Sequence, residues 1–291
     1  MLLTIAQALL WAKEQLSSHN VSDDGLHDCA AIDSKYLLAA SLQREVVYLH
    51  TWPERWLSKS QMEIFESYIS QRILGNPVAY IIGYRDFWTL RLKVSTATLI
   101  PRPETELLVE ISLSLDLVEH AKVLDLGSGS GAIALALASE KPDWLITGLD
   151  KIAEAVLLAK DNATLHKLER VNFVQSDWFC AVEHQQFDLI VTNPPYIEDN
   201  NHYLLQGDVR FEPSSALTSG LDGLDDIRLI VAQSKHYLAA DGWLVIEHGY
   251  QQSDQITDIL TTHGFIQIRN EYDLNGLPRV SLGKVETIRK I

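Results

Sequence analysis

The sequence has few cysteines and no long apolar run. Its two cysteines, Cys29 and Cys180, lie far apart among 291 residues, a usage typical of a reducing compartment in which thiols stay unpaired. No apolar run is long enough to cross a bilayer. The opening segment carries Gln7, Lys13 and Glu14 and lacks the basic leader of a signal peptide. These absences predict a cytoplasmic protein with no membrane segment.

The chain also lacks the residue clusters of a metal site and the basic surplus of a nucleic-acid-binding protein. No Cys/His cluster has metal-ligand spacing and the ten histidines are scattered, so we expect no metal. The 24 basic residues face 39 acidic ones, which gives a net charge of −15. Proteins that grip a phosphate backbone usually carry a basic face. The charge therefore disfavours nucleic acid and favours a basic partner, such as another protein.

Periodicity divides the chain into three parts. Residues 1–75 keep apolar side chains at helical spacing and predict a small helical domain. Residues 76–100 switch to strand-like alternation rich in aromatics and predict a β-hairpin linker. In residues 101–291, a helix is followed by repeated strand–helix units, which predict an α/β domain with a mostly parallel sheet covered on both faces. The last two strand-like segments, "FIQIRNEYD" and "RVSLGKV", predict a terminal antiparallel pair.

The segment "VLDLGSGSG" at 123–131 is the first to indicate a ligand site. Gly127, Gly129 and Gly131 predict a turn between a buried strand and a helix, and glycines let a ligand lie against the backbone. Dinucleotide enzymes use G-x-G-x-x-G to bring a helix N-terminus to a pyrophosphate. Here the third glycine comes one residue early and Asp125 precedes the turn, which suits a cationic ligand better. A plain tight turn is the alternative.

Three further predicted strands end in residues that could contact the same ligand. Asp150 stands about 20 residues after the glycines, as expected for an acid that binds ribose hydroxyls, although it could instead cap the next helix. Asp177 could accept from an exocyclic amine. Trp178 could offer its ring to an adenine or pack in the core. "NPPY" at 193–196 ends the fourth strand, and its prolines lock the backbone there.

The combination of a glycine turn with these strand ends resembles the class I S-adenosyl-L-methionine-dependent methyltransferases. "NPPY" resembles the subgroup that methylates planar nitrogens, either exocyclic amines of bases or the side-chain amide of glutamine. "FWTLRLKVSTATLIPRPETELLVE" at 87–110, "DVRFEPSSALTSGLDGLDDIRLI" at 208–230 and "EHGYQQ" at 247–252 are similar to one family within it. That family is the HemK/PrmC protein-glutamine N5-methyltransferases, which modify class I peptide-chain release factors in support of translation termination. The resemblance covers nearly the whole chain.

The resemblance implies both a fold and a set of site residues. The fold is Rossmann-like, a seven-stranded mostly parallel sheet with a terminal antiparallel strand, preceded by a small helical domain for substrate docking. The cofactor is S-adenosyl-L-methionine, and neither nucleic acid nor a metal is required. The implied cofactor-binding residues are Gly127, Ser128, Gly129, Ser130, Gly131, Asp150, Asp177, Trp178 and Asn193. The implied catalytic residues are Asn193, Pro194, Pro195 and Tyr196.

The residues of the NPPY segment suggest how an amide could be made reactive. An amide nitrogen is a poor nucleophile because its lone pair is delocalised into the carbonyl. The Asn193 side-chain oxygen and the Pro194 carbonyl can accept its two N–H bonds, and the prolines keep these acceptors rigid. Tyr196 can pack on the flat amide. The segment contains no His, Lys or carboxylate, so we expect attack without a general base.

Three other functions share parts of this pattern. A DNA adenine N6-methyltransferase also uses NPPY, but it needs base flipping and phosphate contacts that the acidic charge disfavours. A glutamine N5-methyltransferase acting on a ribosomal protein would have the same catalytic residues. A degenerate binding scaffold is the non-enzymatic alternative, and the intact glycines, Asp150 and NPPY segment disfavour it.

Overall fold

The computed structural model describes residues 3–19 and 29–286, and these form two compact units. The helical unit comprises the described residues up to Tyr84 together with His202–Phe211. The sheet unit comprises Arg85–Asn201 and the described residues from Glu212 onward. The parts of the predicted helical domain at 1–2 and 20–28 lie outside the described residues.

The helical unit packs its helices around one apolar core. Its helices are α1 Ile5–Ser18, α2 Cys29–Leu42, α3 Val46–Thr51, α4 Lys59–Ile73 and α5 Val78–Ile82. Capping boxes begin two of them: Thr4 pairs with Gln7 at α1, and Ser58 pairs with Gln61 at α4. The core includes the fully buried side chains of Leu16, Leu37 and Phe65.

A buried arginine ties the distant segment His202–Phe211 into the helical unit. The Arg72 side chain is 4% exposed, and its guanidinium donates to Asp33 and to Asp208 at 2.7 Å each. Asp208 lies in the polar stretch that follows the NPPY segment. Paired charges of this kind are tolerated inside a protein when their hydrogen bonds are satisfied, so Arg72 anchors a segment that is remote in sequence.

The predicted hairpin is shorter than expected. Strands β1 Tyr84–Phe87 and β2 Leu90–Lys93 form a two-stranded sheet. The preceding "VAYII" at 78–82 is α5, so its strand-like interpretation was wrong. A short apolar run does not distinguish a helix from a strand, and here Gly83 ends the helix in the left-handed region with φ 82°. The proposed linker role of the hairpin stays a prediction.

The sheet unit has the predicted α/β architecture of a class I methyltransferase. Its strands are β3 Lys122–Leu126, β4 Leu145–Asp150, β5 Asn172–Gln175, β6 Phe187–Thr192, β7 Leu238–Glu247, β8 Ile266–Tyr272 and β9 Pro278–Lys284. The order across the sheet is β5-β4-β3-β6-β7-β9-β8. Neighbours from β5 to β7 pair parallel, whereas β9 pairs antiparallel with both β7 and β8. The seven-stranded sheet and its terminal antiparallel pair are therefore confirmed.

Helices cover both faces of this sheet. They are α6 Thr105–Ser114, α7 Ala132–Glu140, α8 Ala153–Leu165, α9 Asp225–Tyr237 and α10 Ser253–Thr262. Strand β3 shows the alternation clearly, because Val123 joins the core cluster of α6–α8 and Leu124 joins that of α9 and α10. In the described part of the chain, no helix combines the length and apolar character needed to cross a membrane.

Candidate active site

The predicted site residues lie at the carboxyl edge of the sheet, where the parallel strands end. The glycine turn follows β3, Asp150 ends β4, Asp177 follows β5, and Asn193 follows β6. These four strands are consecutive in the sheet, in the order β5-β4-β3-β6. The chain reverses its direction of winding between β3 and β6, and crevices at such a point are where open α/β sheets bind ligands.

The glycine turn needs its glycines for backbone conformation. Gly127, Gly129 and Gly131 have φ of 72°, 53° and 84°, a region that side chains with a Cβ disfavour. The N–H groups of Gly127 and Ser128 donate to the Leu149 carbonyl at 2.8 and 2.9 Å, which fixes the turn against β4. A Cβ placed on Gly127 or Gly129 would meet no atom closer than 3.8 Å. The turn is thus rigid and leaves room along its open side.

Asp150 braces both the glycine turn and Ile152, the residue that precedes the next helix. Its Oδ2 accepts from the Gly129 N–H and its Oδ1 from the Ile152 N–H, each at 2.8 Å. Burial raises the pKa of Asp150, and the two backbone N–H bonds oppose that shift. A carboxylate oxygen has two acceptor sites, so both oxygens can still accept from ligand hydroxyls.

Asp125 and Ser128 place unpaired polar atoms beneath the turn. Asp125 is 0% exposed, and its Oδ2 accepts from the Ala134 N–H at 3.1 Å. Within residues 3–19 and 29–286, the Asp125 Oδ1 and Ser128 Oγ have no hydrogen-bond partner. Burial raises the pKa of Asp125 to about 7, against the lowering effect of the Ala134 bond. Buried polar atoms without partners are rare, and these two suit a polar, cationic ligand.

Trp178 and Asp177 diverge after β5. The Trp178 ring is half-buried, packs against the core and would lie 3.8 Å from a Cβ on Gly127. Asp177 is exposed, pairs with Lys151 at 3.3 Å and lines a cavity of about 420 Å³ with Lys151 and Gln175, which lie at the ends of β4 and β5. The structure therefore places Trp178 next to the glycine turn and Asp177 next to the residue that follows Asp150.

The NPPY segment is held by two of the other segments singled out in the sequence. Gln252 Nε2 donates to the Tyr196 carbonyl at 3.0 Å and to the Asp222 carbonyl at 3.3 Å. A Cβ on Gly223 would come within 2.2 Å of the Tyr196 oxygen, so only glycine allows this approach. Burial, followed by the Glu247 charge, raises the pKa of the Tyr196 phenol. The backbone carbonyl of Tyr196 is thus the point where three segments meet: "NPPY", "SGLDG" and "EHGYQQ".

Asn193 is fixed by residues whose role the sequence did not indicate. Its Nδ2 donates to the Thr105 Oγ1 at 3.1 Å, and the side chains of Asn193 and Thr105 both lie close to the Glu247 carboxyl. Burial raises the pKa of Glu247 to about 7, partly offset by these two side chains and by the Arg279 charge. Thr105 and Glu247 lie in two segments that resemble the family, "PRPETE" and "EHGYQQ". Their positions in the sequence do not indicate that they lie close together in the fold.

Two further anchors also connect distant segments. Asn162 of α8 is 0% exposed and donates to the Ser130 carbonyl at 2.9 Å, which secures the glycine turn from behind. Glu212 accepts from the Ile100 N–H at 3.0 Å and from the Arg102 guanidinium. The segment "IPRPE", which contains Ile100 and Arg102, is thereby fixed to the segment "FEPSS", which contains Glu212.

Comparison with known proteins identifies related sequences and folds. The family described as "Methyltransferase small domain" matches residues 103–211, and "PrmC N-terminal domain" matches residues 7–83. Proteins named release factor glutamine methyltransferase are similar over most of their length. One from Vibrio cholerae is 45% identical over 100% of both chains, and one from Pseudomonas aeruginosa is 49% identical over 88% of this chain and 92% of its own. One from Escherichia coli is 39% identical over 94% and 97%.

Two solved structures share the fold at low sequence identity. The hMettl16 catalytic domain, solved with a MAT2A 3'UTR hairpin, has a TM-score of 0.55, with 14% identity over 74% of this chain and 81% of its own. A methyltransferase from Pyrococcus furiosus has a TM-score of 0.52, with 14% identity over 68% and 89%.

Proposed function

This chain belongs to the family of release factor glutamine methyltransferases, and from that premise we propose that it methylates the N5 amide nitrogen of a glutamine in class I peptide-chain release factors. The methyl donor is S-adenosyl-L-methionine. The product supports translation termination.

One observation supports the amide as acceptor more than any other. The Asn193 Nδ2 donates to Thr105 and lies close to the Glu247 carboxyl, so its Oδ1 is left to accept from a ligand. An amide NH₂ group offers two N–H donors in one plane. The Asn193 oxygen and the Pro194 carbonyl are two acceptors on one rigid turn, which matches that donor set.

The cofactor would be held at the glycine turn and its neighbours. Gly127 to Gly131 leave room along the backbone, Asp150 offers acceptors for ribose hydroxyls, and Trp178 offers a ring face or edge. Asp125 supplies negative charge close to the turn. When bound, S-adenosyl-L-methionine supplies an electrophilic methyl group on a sulfonium. Asp177, which is exposed and paired with Lys151, is the weakest member of this set.

The NPPY segment would position the acceptor nitrogen. With both N–H bonds accepted by Asn193 and Pro194, the NH₂ group is fixed and its lone pair faces the methyl group. Proline fixes φ at both 194 and 195, so the acceptors keep their places through the reaction. A 1 Å misplacement of a reacting group can cost about a hundredfold in rate.

Proton loss would follow methyl transfer rather than precede it. The amide nitrogen becomes strongly acidic once it carries a fourth bond, so its proton can leave by way of the Asn193 oxygen to water. No general base is then required for attack, and the residues of the NPPY segment supply none.

The helical unit would bind the protein substrate. A single glutamine side chain offers far less contact than a specific protein complex buries, so a second contact surface is needed. The helical unit has a core of its own and lies outside the methyltransferase fold, which suits this role. No nucleic acid, membrane or metal takes part.

The acceptor atom can be tested directly. Purified release factor is incubated with the enzyme and S-adenosyl-L-methionine, digested and sequenced by tandem mass spectrometry. We expect a single methyl group on a glutamine side chain that survives mild base. A base-labile methyl group would indicate a carboxylate ester, and a methyl group on lysine or arginine would indicate an amine acceptor. Either result would overturn the proposal.

A further inference from the structure

Glu247 lies beside Asn193 because of the strand register. It is the last residue of β7, and the preceding residue, Ile246, pairs with Thr192 of the parallel strand β6. Glu247 and Asn193 are therefore the next residues along two adjacent strands. Glu247 is 1% exposed, so its carboxyl is directed into the protein rather than into solvent.

The Asn193 amide lies beside both Thr105 and the Glu247 carboxyl. Its Nδ2 donates to the Thr105 Oγ1 at 3.1 Å, and both side chains are close enough to Glu247 to lower its pKa. The Thr105 hydroxyl accepts from Asn193 and has one proton of its own, which it can direct at Glu247. The second N–H of Asn193 can be directed at the carboxylate. With its nitrogen end fixed, the amide has its oxygen on the opposite side.

The orientation of the Asn193 amide is fixed only if the side chain at position 247 cannot donate a hydrogen bond. At a pH above its pKa of about 7, the Glu247 carboxyl is ionised. An ionised carboxylate accepts and never donates, so a flipped Asn193 would bring its oxygen against negative charge. A glutamine at 247 could pair with either end of the amide. The choice between the two flips decides whether Asn193 offers the substrate an acceptor or a donor.

Glu247 is not explained by its contribution to stability. Its Oε2 has no hydrogen-bond partner among the described residues, and Glu104 adds charge of the same sign. The Arg279 charge opposes this effect, but its Nε donates to Asp273 at 3.3 Å. Burying a carboxyl without full pairing costs free energy, so an uncharged residue would be the more stable choice.

We infer that Glu247 is a positioning residue, which aims the Asn193 oxygen at the substrate amide through the shared contact with Thr105. This inference rests on the proposed function and adds a residue to its machinery. Glu247 acts through Asn193 and does not itself touch the substrate.

A double-mutant cycle tests the inference. At pH 8, Glu247→Gln should lower kcat about tenfold, and Asn193→Ala should lower it about a hundredfold. The double variant should be no slower than Asn193→Ala alone, because Glu247 has no other route to the reaction. Cofactor affinity measured by calorimetry should stay within about twofold of wild type in all three.

Matched variants separate positioning from folding. Glu106→Gln makes the same chemical change in α6, where the carboxylate accepts from the Trp88 N–H at 2.7 Å, and it should keep wild-type turnover. Thr105→Val removes the bridging hydroxyl and should lower kcat severalfold, whereas Thr105→Ser keeps the hydroxyl and should restore it. These two variants decide the question if Glu247→Gln does not fold.

Two results would overturn the inference. Glu247→Gln could retain wild-type kcat, or it could lower kcat by the same factor with and without Asn193. In both cases, wild-type methylation of release factor glutamine would leave the proposed function standing. Failure of the wild-type enzyme to methylate glutamine would instead remove the proposed function itself.

Discussion

At the scale of single residues, the site contains buried carboxyls. Burying a carboxyl lowers the stability of the protein, which indicates a functional role for the group. Asp125 is fully buried and its Oδ1 has no partner among the residues described. A buried carboxyl tends to stay protonated, and burial raises the pKa of Asp125 to about 7. A bound cation would favour the charged form and offset that cost. Asp125 would thus link the stability of the free protein to cofactor binding.

The contribution of Asp125 to the stability of the cofactor-free protein depends on pH. The unfolded Asp125 ionises near 3.8 and the folded one near 7, so between these values the folded chain binds more protons. Stability contributed by Asp125 therefore falls as pH rises through this window. Replacing Asp125 by Asn should abolish the fall. Between pH 5 and pH 8, the variant should gain about 2 to 3 kcal/mol relative to wild type.

Urea unfolding of the cofactor-free protein at several pH values between 5 and 8 measures this difference. Asp116→Asn is the matched control, since Asp116 is exposed, and it should follow the wild-type curve. Parallel curves for wild type and Asp125→Asn would show that the Asp125 carboxyl does not titrate as described.

At the scale of elements, Asn162 joins three pieces of the sheet unit that are remote in sequence. Its Oδ1 accepts from the Lys93 N–H at 2.8 Å, and its Nδ2 donates to the carbonyls of Lys93 and Ser130 at 3.0 and 2.9 Å. One side chain of α8 thereby pairs with backbone groups at the end of β2 and in the glycine turn. Because it is fully buried, no solvent can replace these bonds.

Asn162→Leu keeps the number and branching of the side-chain heavy atoms and removes all three bonds. It should lower the free energy of unfolding by about 3 kcal/mol or more, since buried backbone groups of Lys93 and Ser130 lose their partners. Loosening of the turn at Ser130 should also weaken cofactor binding. Denaturant unfolding and calorimetry measure the two effects.

The neighbouring residue provides the control for Asn162. Asp161 is exposed and lies 3.9 Å from the Lys93 ammonium, so Asp161→Asn should change stability by less than about 0.5 kcal/mol. If both variants unfolded at the same urea concentration, Asn162 would not be the anchor of the turn.

The contrast between Asn193 and Asn162 shows what sequence can predict. Strand ends, the glycine turn and NPPY were placed correctly at one edge because buried runs and punctuating residues are local signals. Asn162 stands in an ordinary helical pattern, and its contact to Lys93 spans 69 residues. In the sequence, Glu247 stands out only as part of a family-like segment, since its position beside Asn193 depends on the pairing of β6 with β7.

At the scale of the whole molecule, one long segment serves both units. Residues 197–223 appear polar and irregular in the sequence, yet His202–Phe211 belongs to the helical unit and its flanks to the sheet unit. The ion pair between Arg72 and Asp208 joins residues 136 positions apart. No local pattern could have predicted this division of the segment.

The charge of the molecule bears on its choice of substrate. The chain carries a net charge of −15, which repels a phosphate backbone and favours a partner with basic surface. Adenine in DNA and glutamine in a protein present similar NH₂ groups to an NPPY segment. Charge and the helical unit, rather than the catalytic residues, would therefore decide between them.

The most direct test is a competition for labelled methyl groups. The enzyme is given radiolabelled S-adenosyl-L-methionine with equal amounts of purified release factor, a ribosomal protein and duplex DNA. Our account predicts label on one glutamine of the release factor alone. Label on the ribosomal protein would contradict the proposed partner, and label on DNA would contradict the interpretation of both the acidic charge and the helical unit.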